Sequence, residues 1–309
     1  MHPEPRRWVI GRGLLGGAVS AARDDEPYRS AVRWGDPADA RADLSAALDG
    51  FLNGHSDEWE LYWCAGRGVT STPPAVMAAE ADLFEWFIDM VCERAPAELA
   101  RGSLFLASSV GGAYGGSESS PFTEFTPARP ISPYGEVKLR MEATLSAAVA
   151  GTSARALIGR ITNLYGPGQD LGKGQGLISV IVESYVTGKP ASIYVPLDTL
   201  RDYIYVDDCA RVIDAGMRRL RREPAGTVVT KIIGAMNAQS VGAILGEVAR
   251  LRRKPVPVML GQGDASGQTS DLRVKSVVWP ELDREVSTTL PEGLGAVHRA
   301  QLRRQMLGH

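Results

Sequence analysis

Tyr134 and Lys138 stand four residues apart in Tyr134-Gly135-Glu136-Val137-Lys138, directly after Pro133. Proline suits the first turn of a helix, and residues four apart share one helical face. The Lys138 ammonium is thereby placed beside the Tyr134 phenol, where a positive charge favours the phenolate. A tyrosine held in that way can take a proton from a hydroxyl, or return one to a carbonyl oxygen, as a hydride moves on the neighbouring carbon. Ser108-Ser109 closes an apolar run that begins at Ser103, so Ser109 can hold the reacting oxygen by a hydrogen bond. Taken alone, a Tyr and a Lys one turn apart describe an ordinary amphipathic helix. The serine pair and a glycine-rich turn upstream favour the chemical reading.

That turn is Gly11-Arg12-Gly13-Leu14-Leu15-Gly16, set between a strand-like run and a helix-like one. Glycines there permit a tight turn, bring backbone N–H groups close to a pyrophosphate and let the helix pack against the sheet with its N-terminus facing the anion. Gly11, Gly13, Leu14, Leu15 and Gly16 are therefore cofactor-binding candidates, together with Cys64-Ala65-Gly66 at the end of a later strand. The loop after the second strand selects between dinucleotides, because an acidic residue there bonds the adenosine ribose. Here it reads Arg33-Trp34, with Asp36 beyond. Arg33 can pair with a 2′-phosphate, which favours NADP, or it is a solvated arginine at a strand end. NAD and NADP both stay open at this point.

These groups need a scaffold, and its elements are legible in the alternation of short apolar runs with longer helical periods. Strands are expected at Arg7–Ile10, Ser30–Trp34, Glu60–Ala65, Ser103–Ser108, Arg155–Arg160 and Thr227–Ile233. Helices are expected at Leu14–Ala22, Asp39–Leu52, Ala75–Arg94, Tyr134–Ala150, Leu177–Val186, Asp207–Arg222 and Gln239–Arg252. The order is that of an α/β protein, a doubly wound parallel sheet of Rossmann type with helices on both faces. Ligands of such sheets lie beyond the carboxyl ends of the strands, which is where the glycine turn, Ser109 and the residues after Arg160 fall.

Composition removes other classes. The 34 Lys and Arg nearly balance the 36 Asp and Glu, for a net charge of −2. Neither nucleic acid nor an anionic membrane is an expected partner. The four histidines, His2, His55, His298 and His309, are far apart in sequence, and the three cysteines, Cys64, Cys92 and Cys209, show no CxxC spacing. No metal site, Ser-His triad or disulfide framework is expected. No apolar run approaches the ~20 residues of a membrane span, and no signal peptide is visible; a cytoplasmic location is expected.

The chain resembles the extended short-chain dehydrogenase/reductases, specifically the NAD-dependent epimerase/dehydratase family that acts on nucleotide sugars. The resemblance rests on Ser108-Ser109 with Tyr114-Gly115, on Ser132-Pro133-Tyr134-Gly135 through Lys138, on Arg160-Ile161-Thr162-Asn163-Leu164-Tyr165-Gly166-Pro167-Gly168-Gln169, and on Arg201-Asp202-Tyr203-Ile204-Tyr205-Val206-Asp207-Asp208. It implies a cofactor domain over residues 1–167, with 200–235 returning to it, and a smaller C-terminal α/β domain over 168–199 and 236–309 that binds the nucleotide sugar. It implies Ser109, Tyr134 and Lys138 as the catalytic group, bound NAD, and a homodimer built from the helices at 75–94 and 134–150. Asn163 and Arg201 map to residues that contact the substrate diphosphate, with Arg273 a second arginine candidate and Lys173 a weaker one.

The sequence also departs from the family. The glycine turn is one residue shorter than the usual pattern, and the interval from Trp34 to Glu60 leaves little room for a third strand. Related dehydratases and decarboxylases carry an acid just after the catalytic Ser or Thr, whereas Val110, Gly111 and Gly112 follow Ser109. The resemblance then implies 4-epimerisation through a transient 4-keto sugar, or NAD(P)H-dependent reduction of a 4-keto sugar, with dehydration less favoured. A fold that only senses dinucleotide is the non-enzymatic alternative, and intact Ser109, Tyr134 and Lys138 speak against it.

Overall fold

A computed structural model describes residues 4–53, 58–69, 72–94, 96–173, 176–252, 255–261 and 269–307, with the backbone alone at 96, 173 and 252. The first half of the chain runs β1 (Arg6–Ile10), α1 (Leu14–Ala21), α2 (Pro37–Leu52), β2 (Trp59–Trp63), α3 (Pro74–Cys92), the one-turn α4 (Pro96–Leu99), β3 (Gly102–Ser109), the short α5 (Val110–Tyr114), α6 (Pro133–Ala150) and β4 (Arg155–Ile161). The second half runs β5 (Asn163–Tyr165), α7 (Leu177–Thr187), β6 (Ala191–Ile193), β7 (Leu200–Arg201), β8 (Tyr203–Tyr205), α8 (Val206–Leu220), β9 (Val228–Ile233), β10 (Gln239–Ser240), α9 (Val241–Arg252), β11 (Val258–Leu260), β12 (Asp271–Leu272) and α10 (Leu290–Met306).

Five of these strands form one parallel sheet in the order β1-β2-β3-β4-β9. The period-2 alternation of a strand sorts its side chains between two faces. Trp8, Leu61, Trp63 and Leu104 point to a core shared with Phe84 and Phe87 of α3 and Met141 of α6. Val9, Tyr62, Phe105 and Leu157 point the other way, toward Val212, Ile213 and Met217 of α8. All five residues of β2, Trp-Glu-Leu-Tyr-Trp, are buried, as expected of a central strand covered on both sides. Glu60 is its one charged residue and lies 3.0 Å from the Arg23 guanidinium. This is the doubly wound α/β architecture read from the sequence.

The expected strand at Ser30–Trp34 is not formed. Tyr28 makes a single parallel bridge to Trp8, and the Trp8 indole Nε1 donates to Ser30 Oγ at 2.9 Å. Further along, the Arg33 backbone N–H donates to the Asp43 carboxylate at 2.9 Å, so a donor that a ladder would use goes to α2 instead. Pro27 supplies no donor at all. Among the described residues the sheet therefore ends at β1, with one bridge where a second and third strand would continue it.

A third apolar core gathers Ile178 and Val182 of α7, Ile193 of β6, Val241 and Ile244 of α9 and Val297 of α10. Small sheets lie beside it: β7 between β10 and β12, β6 with β11, and β5 with β8. Gln239 and Ser240, expected to open a helix, pair instead with Arg201 and Leu200. No described helix is long and apolar enough to cross a membrane.

Candidate active site

A cleft of about 1350 Å³ opens at the carboxyl ends of the parallel strands, and its walls include Gly13, Ser109, Tyr134, Lys138, Asn163 and Arg201. The glycine turn forms one end. Gly11 adopts a φ of +83°, a left-handed conformation that favours glycine, and a Cβ there would run into Ala65. A Cβ on Gly16 would strike the Gly11 carbonyl oxygen. Gly13 caps α1 and has nothing within 4 Å of where its Cβ would be. The turn is thus closed against the protein and open toward the cleft, where the exposed Gly13 and the half-buried Leu14 and Leu15 line the wall at the N-terminus of α1. A pyrophosphate needs that combination of free N–H groups and space, so the residues present fit a dinucleotide. Cys64, Ala65 and Gly66 line the same wall. Burial pushes the Cys64 thiol up to about 12, so it stays neutral at ordinary pH.

Ser109, Tyr134 and Lys138 come together in the middle of the cleft. Ser109 ends β3 and its Oγ accepts from the Gly112 N–H at 3.2 Å, capping α5. A Cβ added at Gly112 would lie 3.3 Å from the Tyr134 ring and 3.4 Å from Ser109 Cβ; its absence lets the phenol and the serine share one space. Ser132 caps α6 by accepting from the Gly135 N–H at 3.2 Å, and the next turns carry Tyr134 and Lys138. The Lys138 ammonium lies 5.7 Å from the centre of the Tyr134 ring.

Behind them a buried network fixes strand to helix. Glu142 extends the Tyr134 and Lys138 face by one more turn and is buried. It accepts from Ser108 Oγ at 2.5 Å and from the Arg160 guanidinium at 2.6 and 3.1 Å. Arg160 also donates to the Tyr114 hydroxyl at 2.6 Å. Burial pushes the Tyr114 phenol above its ordinary value despite that neighbour.

At the far end, Asn163 donates through Nδ2 to the Asp202 carbonyl at 2.9 Å. Arg201 is half-buried, and burial pulls its guanidinium below the ordinary arginine range. It donates to the Leu200 and Thr269 carbonyls at 2.8 and 2.5 Å. Neither carbonyl carries a full charge, so the cation is oriented without being neutralised.

Arg33 and Arg273 are not in the cleft walls. Arg33 is exposed in the loop before α2, bonded to Asp43 at 2.8 and 2.9 Å and to Asp39 at 2.9 Å. The expectation that it ends a strand is corrected: no strand forms there, and Arg33 is an ion-pair partner of α2. Arg273 is exposed and donates to Asp271 at 2.7 to 3.0 Å, which keeps it on the rim. The Lys173 side chain lies outside the described residues. Glu80, on α3, escaped the sequence reading altogether. Its carboxylate accepts from Lys138 Nζ at 3.3 Å across 58 residues of chain, and no local pattern announces such a pair. Glu142 did leave a signal, since it repeats the four-residue spacing of Tyr134 and Lys138.

Residues 70–230 match the model of the NAD dependent epimerase/dehydratase family. The chain is 34% identical over 117 residues to UDP-glucose 4-epimerase of Mycolicibacterium smegmatis, covering 36% of this chain and 34% of that protein. It is 32% identical over 105 residues to dTDP-4-dehydro-6-deoxyglucose reductase of Escherichia coli, covering 34% and 33%. These matches span about a third of the length of either relative. The fold is similar to the solved structure of MoeE5 in complex with UDP-glucuronic acid and NAD, with a TM-score of 0.74 and 20% identity over 98% of this chain and 100% of that one. With more than half of its length inside the family match, the chain belongs to the NAD dependent epimerase/dehydratase family.

Proposed function

We propose that this protein is a nucleotide-sugar 4-epimerase working with bound NAD. The observation that carries the reading is the meeting of Ser109, Tyr134 and Lys138 in one cleft with the open glycine turn, while Val110, Gly111 and Gly112 place no acid or base beside them. A nicotinamide supplies the reversible acceptor for the C4 hydride. The chain's own residues do the rest. Ser109 holds the C4 oxygen, Tyr134 as the phenolate takes its proton and later returns it, and the Lys138 charge favours the phenolate that starts and ends the cycle. Arg201 and Asn163 hold the diphosphate, for which an oriented guanidinium suits bidentate contact.

In this reading residues 1–167 and 200–235 bind the cofactor, and 168–199 with 236–309 bind the nucleotide sugar. The protein acts in the cytoplasm as a homodimer through α3 and α6. Ketoreduction is the second reading, given the reductase among the relatives. The NADP preference that would have favoured it rested on Arg33, which is occupied by two carboxylates.

The test is turnover of a panel of UDP- and dTDP-sugars without added cofactor, followed by NMR of the sugar. Inversion at C4, with NAD released on denaturation, supports the epimerase. Consumption of added NADPH only in the presence of a 4-keto sugar nucleotide replaces it with the reductase. Tyr134→Phe is expected to lower the rate by roughly 10²- to 10⁴-fold.

A further inference from the structure

We propose that Glu80 is a positioning residue that sets the charge acting on Tyr134, by holding the Lys138 ammonium and balancing it with a carboxylate. The proposal rests on Tyr134 and Lys138 being the proton-transfer pair. Lys138 and Glu80 side chains are only 8% and 16% exposed, and Nζ donates to Glu80 Oε1 at 3.3 Å. The other oxygen is fixed from the far side, because Oε2 accepts from the Arg67 and Gly68 N–H groups at 3.1 and 3.2 Å. Two backbone donors on a loop leave this carboxylate one direction in which to face the ammonium. The loop is shaped to admit it: a Cβ on Gly66 would lie 2.8 Å from Glu80 Oε1 and 3.4 Å from Lys138 Nζ. Three chain segments, α3, the 64–68 loop and α6, thus converge on one ion pair at the cleft wall.

The other charged and titratable groups nearby have partners, carry no charge or face solvent. On α6, Glu142 is taken by Arg160 and Ser108. On α3, Asp82 and Glu85 bind Arg140 on the outer side. On β3 the facing groups are the hydroxyls of Ser108 and Ser109, and on α5 the facing phenol is Tyr114, bonded to Arg160. From the loop come the neutral Cys64 thiol and Arg67, whose side chain is exposed. Of the charges shielded from solvent at this wall, Lys138 and Glu80 therefore sum to zero beside Tyr134. An unbalanced Lys138 would make the phenolate form more readily, and Glu80 restrains it, so that Tyr134 can return its proton as well as take it. An epimerase needs both directions in each cycle.

The experiment is an ultraviolet titration of phenol ionisation in the purified protein, taken as the difference between each variant and the same variant carrying Tyr134→Phe. Glu80→Gln is expected to lower the midpoint read in this difference titration, and to move the pH profile of turnover the same way. Glu80→Asp keeps the charge and is expected to retain the wild-type midpoint. Glu80→Ala removes the carboxylate together with the rest of the side chain, and is expected to shift the midpoint in the direction of Glu80→Gln; it serves if Glu80→Gln does not fold. An unchanged midpoint in the folded Gln or Ala variant, or a rise, overturns the proposal. Because the titration needs no substrate, a shift without turnover of any nucleotide sugar rejects the function proposed above and leaves the Glu80 coupling standing. Turnover with an unmoved midpoint does the reverse.

Discussion

Arg160 on β4 and Glu142 on α6 form a buried ion pair at 2.6 Å, with side chains 11% and 8% exposed, directly behind the strand end that carries Ser109. Glu142 also holds Ser108, the neighbour of Ser109. The pair is therefore the link between the strand bearing the serine and the helix bearing Tyr134 and Lys138. Removing one partner leaves an uncompensated buried charge, which typically costs about 3–5 kcal/mol. Arg160→Ala is expected to destabilise the protein by roughly that amount, measured as the change in urea-unfolding free energy. A loss near zero would mean that water reaches Glu142 and that the network does not fix the serine.

Arg33 has both donor edges engaged by Asp39 and Asp43. These partners also hold its guanidinium above the ordinary arginine value, the side-chain bond to Asp43 first, and hold Asp43 below the ordinary carboxylate value through the same bond. Arg33→Ala is thus expected to leave the ratio of NAD to NADP affinity unchanged, as read by isothermal titration. A selective loss of NADP affinity would return this residue to the adenosine site.

Asp271 is held down to about 2 from an ordinary 3.8, chiefly by its side-chain bond from Arg273. A carboxyl depressed in the folded state contributes stability above its unfolded value and loses it as pH falls through the folded value. The contribution of this pair is therefore present above pH 3.8 and gone below about pH 2. Arg273→Ala is expected to lower the urea midpoint at pH 5 and to converge with the parent near pH 2, within the modest range of a half-exposed pair. Parallel curves across that window would contradict the assignment of Asp271 to Arg273.

The parallel sheet was legible because its strands are short apolar runs separated by capped helices: Pro133 and Ser132 before α6, and Gly13 before α1, mark boundaries that local chemistry sets. Tyr134 and Lys138 could be found for the same reason, since a four-residue period puts them on one face, and Glu142, not singled out from the sequence, continues that period. Ser30–Trp34 misled because its apolar residues suit a strand, while the carboxylate that captures the Arg33 N–H lies ten residues away on another element. Glu80 stayed hidden because a long-range contact leaves no periodic trace. Arg201 was named, but its carbonyl partner Thr269, 68 residues on, stayed hidden for the same reason. The family resemblance nominated Arg201 and Arg273, and of the two only Arg201 lines the cleft.

The central claim is that hydride leaves C4 of a sugar and returns to the same carbon within one cleft, with Tyr134 moving the proton. The most direct measurement is the fate of deuterium placed at C4 of the nucleotide sugars that the protein turns over, followed by NMR and mass spectrometry without added cofactor. The predicted result is a product inverted at C4 that keeps its deuterium, with none lost to solvent. Loss of that deuterium on inversion, or no inversion of any sugar in a panel of UDP- and dTDP-hexoses, would contradict the account.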